Sequence, residues 1–237
     1  MSSRTSIRTP ARGVFIAGTD TGVGKTLVAC ALLQAFAELG LRTVGMKPVA
    51  AGAARRGGVW YHDDVERLRA AASVKLSREW INPYCFAPAV APHIAAAEAG
   101  RRIRLDVIER SYHRLRLCAD IVVVEGVGGL AVPLSRTRDA VDIPLRLQLP
   151  VVLVVGMRLG CLNHALLTAA AVHARGLRLA GWIACAIDPD MARAEQNLRA
   201  LQQRLTAPLL GRIRFMSNPA PDSVLRTLNI SRLNAVI

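Results

Sequence analysis

Three observations predict an α/β protein built on a P-loop-containing parallel β-sheet with helices on both faces. Short apolar runs with no polar face, such as residues 121–124 and 151–155, read as strands covered on both sides. They alternate with segments of 3.6-residue periodicity, as in a sheet whose crossovers are helices. A glycine-rich turn ending in Gly24-Lys25-Thr26 joins the first such strand to the first such helix. The expected order is strand 13–18, helix 25–39, strand 41–46, and helices near 63–72, 91–99 and 105–117. Strand 120–125, a polar loop, a short helical piece near 139–147 and strand 150–155 follow. Helix 162–175, strand 179–185, helix 190–204 and strand 208–213 complete it. Leu27, Ala31, Leu32, Ala35, Phe36 and Leu39 mark one face of the first helix, and Gly40 stops it. No linker, low-complexity tract or fixed-period repeat breaks this alternation. Residues 13–237 are therefore read as one domain behind a frayed tail at 1–12.

Composition narrows the function. The net charge of +14 could suit a phosphate polymer, yet the arginines are scattered, with Arg55-Arg56 and Arg101-Arg102 as the only doublets. No aromatic residues alternate with them to stack bases, so a nucleic-acid partner is not expected. The longest apolar runs are strand-sized, which argues against a membrane span. Cys30, Cys85, Cys118, Cys161 and Cys185 form no C-x-x-C pair and read as reduced core thiols of a cytoplasmic protein. The five histidines lack metal spacing, and His62, His113 and His173 read as surface or satisfied polar residues.

Residues 14–26 run a buried strand into a phosphate cradle. Glycines let successive backbone N–H groups converge on one anion, and the helix opening at Thr26 adds the positive end of its dipole. Lys25 is placed to reach the outer phosphates and the Thr26 hydroxyl to ligate magnesium. The usual spacing is missed by one position, since Thr19 stands where the first glycine belongs and Gly18 comes one residue early.

In parallel sheets ligands sit at the carboxyl ends of strands, so chemistry is expected there. Strand 41–46 ends in Lys47-Pro48, and lysine occurs only three times in the chain, which points to an active-site role for Lys47. Strand 120–125 ends in Glu125-Gly126-Val127-Gly128-Gly129. An ionised carboxylate after four apolar residues needs a cation, and magnesium beside a nucleotide would supply one. Asp63-Asp64 either caps the following helix or serves the site. The turn Gly160-Cys161-Leu162-Asn163-His164 is either a second anion site or a plain helix start.

Five ordered blocks resemble dethiobiotin synthetases: residues 18–26, Lys47-Pro48-Val49-Ala50-Ala51-Gly52, Asn82-Pro83-Tyr84 with Ala91-Pro92-His93, residues 125–129, and residues 160–165. The resemblance spans nearly the whole chain. It implies an ATP-dependent cyclo-ligase acting on 7,8-diaminononanoate and carbon dioxide, through a carbamate and a carbamic–phosphoric anhydride. It further implies a homodimer with substrate at the interface, where residues 160–164 of one subunit hold the substrate carboxylate. Transferred residue by residue, Lys25 and Lys47 are the catalytic cations. Thr26, Asp64 and Glu125 hold magnesium, and Gly22, Val23, Gly24, Leu27, Gly126, Val127 and Gly128 complete the nucleotide site. Thr21, Lys47, Ala51, Gly160, Cys161, Leu162 and Asn163 meet the substrate.

The chain departs from that pattern at three places. Ala51 replaces a serine, Cys185-Ala186 replaces the family's adenine-reading pair, and Arg214-Phe215-Met216 replaces a Pro-Trp-Leu type segment. Weak discrimination among nucleoside triphosphates is the expectation. A partition or cell-positioning ATPase would carry a signature lysine at the position of Asp20. A glutaminase-linked amide synthetase would need more chain.

Overall fold

The computed structural model describes residues 12–235, so all of the expected N-terminal tail except Arg12 lies outside the described residues. Strand β1 (Arg12–Gly18) leads to helix α1 (Lys25–Glu38) and β2 (Thr43–Met46). Short elements follow: β3 (Val49–Ala51), β4 (Ala54–Arg56), β5 (Val59–Tyr61), α2 (Asp63–Ala71), α3 (Arg78–Ile81), β6 (Tyr84–Phe86) and α4 (Pro92–Glu98). Then come α5 (Leu105–Cys118), β7 (Ile121–Glu125), α6 (Asp142–Leu147), β8 (Val151–Met157), α7 (Cys161–Ala174), β9 (Leu179–Ala186), α8 (Ala194–Arg204) and β10 (Leu209–Ile213). Two five-residue helices, α9 (Pro221–Leu225) and α10 (Ile230–Asn234), end the described chain.

Six strands form one sheet in the order β10-β9-β8-β1-β7-β2, and every pair is parallel. The order reverses at β1, which pairs with β7 on one side and β8 on the other. Such a reversal opens a crevice beyond the strand ends because the flanking loops run to opposite faces. Alternation along β1 sends Phe15 and Ala17 into one core and Val14 and Ile16 into the other. The first core also holds Tyr112 and Leu115 of α5, Ala165 and Val172 of α7 and Leu198 of α8. The second holds Val28, Leu32 and Phe36 of α1 and Leu68 of α2, with Val224 of α9 and Leu233 of α10 beneath them. Helices therefore cover both faces, as expected. No helix among the described residues is long and apolar enough to cross a membrane.

The sequence reading missed structure between β2 and α5. β3 pairs with β6, Val49 opposite Tyr84, and the exposed strands β4 and β5 pair antiparallel around Gly57-Gly58. Three-residue strands are too short for periodicity to show, although the Gly-Gly turn is a hairpin signal. α8 starts at Ala194, four residues later than expected, behind Arg193 in the left-handed region at φ 57°. α9 and α10 were also missed, because one turn of helix carries no recurring apolar face.

Candidate active site

The ends of β1, β2, β7, β9 and β10 surround a cleft of about 850 Å³. Its floor is the β1–α1 turn. A Cβ on Gly18 would lie 2.8 Å from Val23 and 2.9 Å from Lys25 Nζ, so a side chain there would displace Lys25. Position 19 has no such constraint. Its threonine Oγ1 accepts the Gly156 N–H at 3.2 Å and ties the turn to β8, which accounts for the one-residue shift of the glycine. Gly24 sits at φ 96° against Cys185, whose sulfur would be 2.8 Å from a Cβ. α1 begins with no side-chain cap and no acidic residue in its first turn, leaving its N-terminal dipole available to an anion.

Lys25 is buried and donates to the Asp20 carbonyl at 2.8 Å. Burial and then the neighbouring Lys47 charge lower its pKa to about 8. Asp20 is itself anchored, its carboxylate accepting the Thr21 N–H at 2.7 Å and pairing with Arg158 at 2.7 Å.

Lys47 is the centre of the charged cluster. It is 3% exposed, and its ammonium lies 2.5 Å from Glu125 Oε1, 2.9 Å from Asp64 Oδ2 and 3.1 Å from the Gly126 carbonyl. Burial alone would lower its pKa, but the two carboxylates outweigh that and raise it. For Asp64, burial works upward and is overcome by Lys47 and a Thr26 hydrogen bond, so its pKa falls. Thr26 also donates to Glu125 Oε1 at 2.9 Å. The second Glu125 oxygen is buried and has no hydrogen-bond partner. An orphaned carboxylate oxygen beside a hydroxyl and a second carboxylate is an all-oxygen donor set suited to magnesium. Thr26, Asp64 and Glu125 therefore fit that ion.

Two supports escaped the sequence reading. Asn82 is buried and donates from Nδ2 to the carbonyls of Lys47, at 2.6 Å, and Tyr84, at 3.0 Å, fixing the turn that carries the lysine. His62, rather than either aspartate, caps α2 by accepting the Asp64 N–H at 3.2 Å. Asn82 stood in a recognised block without a role; histidine is not among the usual capping residues, so His62 sent no signal.

Thr21, Gly22, Leu27, Ala51, Val127 and Gly128 line the cleft with Gly24, Lys25, Thr26, Lys47, Asp64 and Glu125. Val23 and Gly126 do not. Val23 is buried against Gly156, while Gly126 contributes its carbonyl to Lys47. Gly160, Cys161, Leu162 and Asn163 also lie outside the cleft, at the start of α7. The far end of the cleft is lined by Cys185, Ala186, Ile187, Ile213, Phe215 and Met216, with Arg214 at its exposed rim. Burial pushes the Cys185 thiol up to about 11, so it remains neutral.

Comparisons with known proteins give the family and the fold. A family model described as an AAA domain matches residues 12–221. The ATP-dependent dethiobiotin synthetase of Aromatoleum aromaticum is 52% identical over 222 residues, covering 94% of this chain and 99% of that protein. The enzyme of the same name from Nitrosospira multiformis is 53% identical, covering 94% and 96%. Among solved structures, the MinD cell division protein of Aquifex aeolicus matches with a TM-score of 0.58 at 17% identity, covering 95% of this chain and 98% of that one. MinD from Pyrococcus horikoshii, complexed with Mg-ADP, gives a TM-score of 0.54 at 16% identity, covering 86% and 81%. At such identities these structures establish a shared fold alone.

Proposed function

The chain belongs to the ATP-dependent dethiobiotin synthetase family, and from that premise we propose how its residues divide the work of closing the dethiobiotin ring. One amine of 7,8-diaminononanoate adds to carbon dioxide, losing a proton to give a carbamate. A carbamate oxygen attacks the γ-phosphorus of ATP as the bond to ADP breaks, giving a carbamic–phosphoric anhydride. The second amine attacks the carbamoyl carbon, loses its proton, and expels phosphate as the cyclic urea forms.

The observation that carries this reading is the cluster of buried Lys47 and Glu125 with half-buried Asp64 and Thr26 beside the uncapped start of α1. Lys47 stays protonated at neutral pH because its pKa is raised, so its role is electrostatic, on the carbamate and the transferring phosphoryl group. Lys25 and the N–H groups of the turn hold the β- and γ-phosphates. Thr26, Asp64 and Glu125 would hold magnesium, which when bound neutralises phosphate charge. Ala51 presents no hydroxyl to substrate, leaving Thr21 as the polar side chain beside it.

The active unit is a homodimer with the diamine at the interface. Leu159, 92% exposed just before α7, and Leu167, 63% exposed midway along it, are apolar, and covering them would remove that surface from water. Gly160, Leu162 and Asn163 would then meet the substrate carboxylate in the neighbouring subunit's cleft, consistent with their position outside their own, whereas Cys161, expected with them, is buried in its own core with its N–H bonded to the Arg158 carbonyl.

Purified protein supplied with magnesium, ATP, bicarbonate and 7,8-diaminononanoate is expected to form dethiobiotin and release phosphate, read by mass spectrometry and a phosphate assay. Nucleotide turnover that ignores the diamine would overturn the reading.

A further inference from the structure

We propose that His62 is the positioning residue that sets Asp64 for its cation and closes the base of the β4–β5 hairpin against the substrate side of the cleft. This rests on the reading of Asp64 as a magnesium ligand. His62 lines the cleft, yet its ring is committed to two backbone groups. Nδ1 accepts the Asp64 N–H at 3.2 Å, and this is the side-chain cap of α2. An accepting Nδ1 makes Nε2 the protonated nitrogen, and Nε2 donates to the Ala51 carbonyl at 3.1 Å.

Those two bonds continue the β4–β5 pairing to the neck of the hairpin and tie it to the start of α2. From Ala51 the backbone leaves the cleft wall through β4, turns at Gly57-Gly58, and returns through β5 to His62. β4 is exposed throughout, as are Val59 and Trp60 of β5, so burial does little to anchor the hairpin. The His62–Ala51 bond spans 11 positions and shuts the loop at its neck. On the other nitrogen, the cap fixes the first turn of α2, where Asp64 reaches Lys47 at 2.9 Å. A loosened first turn would let Asp64 drift from Lys47 and from Thr26, the groups it must face together.

A cap that only stabilised the fold would change melting behaviour without touching the metal's contribution to nucleotide binding. The decisive quantity is the ratio of ADP dissociation constants without and with saturating magnesium, measured by calorimetry on the intact protein. Asp64→Asn calibrates it and is expected to collapse the ratio. His62→Ala is expected to lower the ratio about 10-fold, the lower end of the range for losing a group that orients a metal ligand. His62→Leu, which keeps bulk while removing both polar nitrogens, is the second variant in case alanine fails to fold. His62→Asn restores a strong capping oxygen and is expected to recover most of the ratio. Wild-type ratios in His62→Ala or His62→Leu, or an Asn variant no better than they are, would overturn the proposal while leaving Asp64 as a ligand. An unchanged ratio in Asp64→Asn would overturn the ligand reading, and this inference with it.

Discussion

The two ends of the cleft are built on opposite principles. At the phosphate end, four polar side chains converge, and the ammonium of Lys47 touches two carboxylates and a carbonyl. At the far end, which the proposed function gives to the base, Cys185, Ala186, Ile187, Ile213 and Met216 offer no charged group, and the Cys185 thiol is held neutral. Buried charges must be paired in fixed geometry, so the first end tolerates little change in residue type. An apolar wall needs only shape, so the second can vary. Affinity and chemistry are therefore expected from the phosphates, and modest selectivity from the base.

The largest expected effect tests the charged end. Lys47→Ala should reduce the single-turnover rate of ring closure about 10²–10³-fold, as for loss of one charge-stabilising donor in a transition state, with nucleotide affinity in magnesium nearly intact. Rates measured beside a nucleotide titration separate the two. Equal losses in rate and binding would make Lys47 a ground-state contact and blur the contrast between the ends.

A smaller effect tests the apolar end. Values of kcat/KM for ATP, GTP and CTP under identical magnesium are expected to agree within about 10–200-fold, the reach of a pocket without dedicated hydrogen bonds. Cys185→Asn should widen the preference for ATP by about tenfold, the worth of one added net hydrogen bond. A wild-type preference of about 10⁴ or more would mean that backbone groups near Phe215 read the base.

The smallest effect is a proton. Lys25 has a pKa of about 8 in the free protein, and a polyphosphate beside it favours the charged form. Nucleotide binding should therefore take up a proton as pH rises past 8, approaching about half a proton at pH 8 and vanishing well below it. Calorimetry in buffers of different ionisation enthalpy reads this uptake directly, and proton release in that range would reverse the sign of the argument. Lys47, already raised by Glu125 and Asp64, contributes nothing there.

The amino-acid sequence by itself determined the sheet, both of its helical covers and the charged end of the cleft. Each of these rests on a local pattern: uniform apolar runs, 3.6-residue periodicity, and lysine, threonine or glutamate placed just after a strand. Tertiary structure alone decided the strand order, which brings Glu125 within 2.9 Å of Thr26 across 99 residues of chain. It also decided the supports. Asn82 holds Lys47 because β6 pairs with β3, and His62 reaches the Ala51 carbonyl because a hairpin returns it there. Pairings of three-residue strands leave no periodic trace, and a histidine cap carries no composition signal. The Lys47–Asn82 and Ala51–His62 contacts come from chain closure over 35 and 11 positions, whereas periodicity records only which side of an element faces the core.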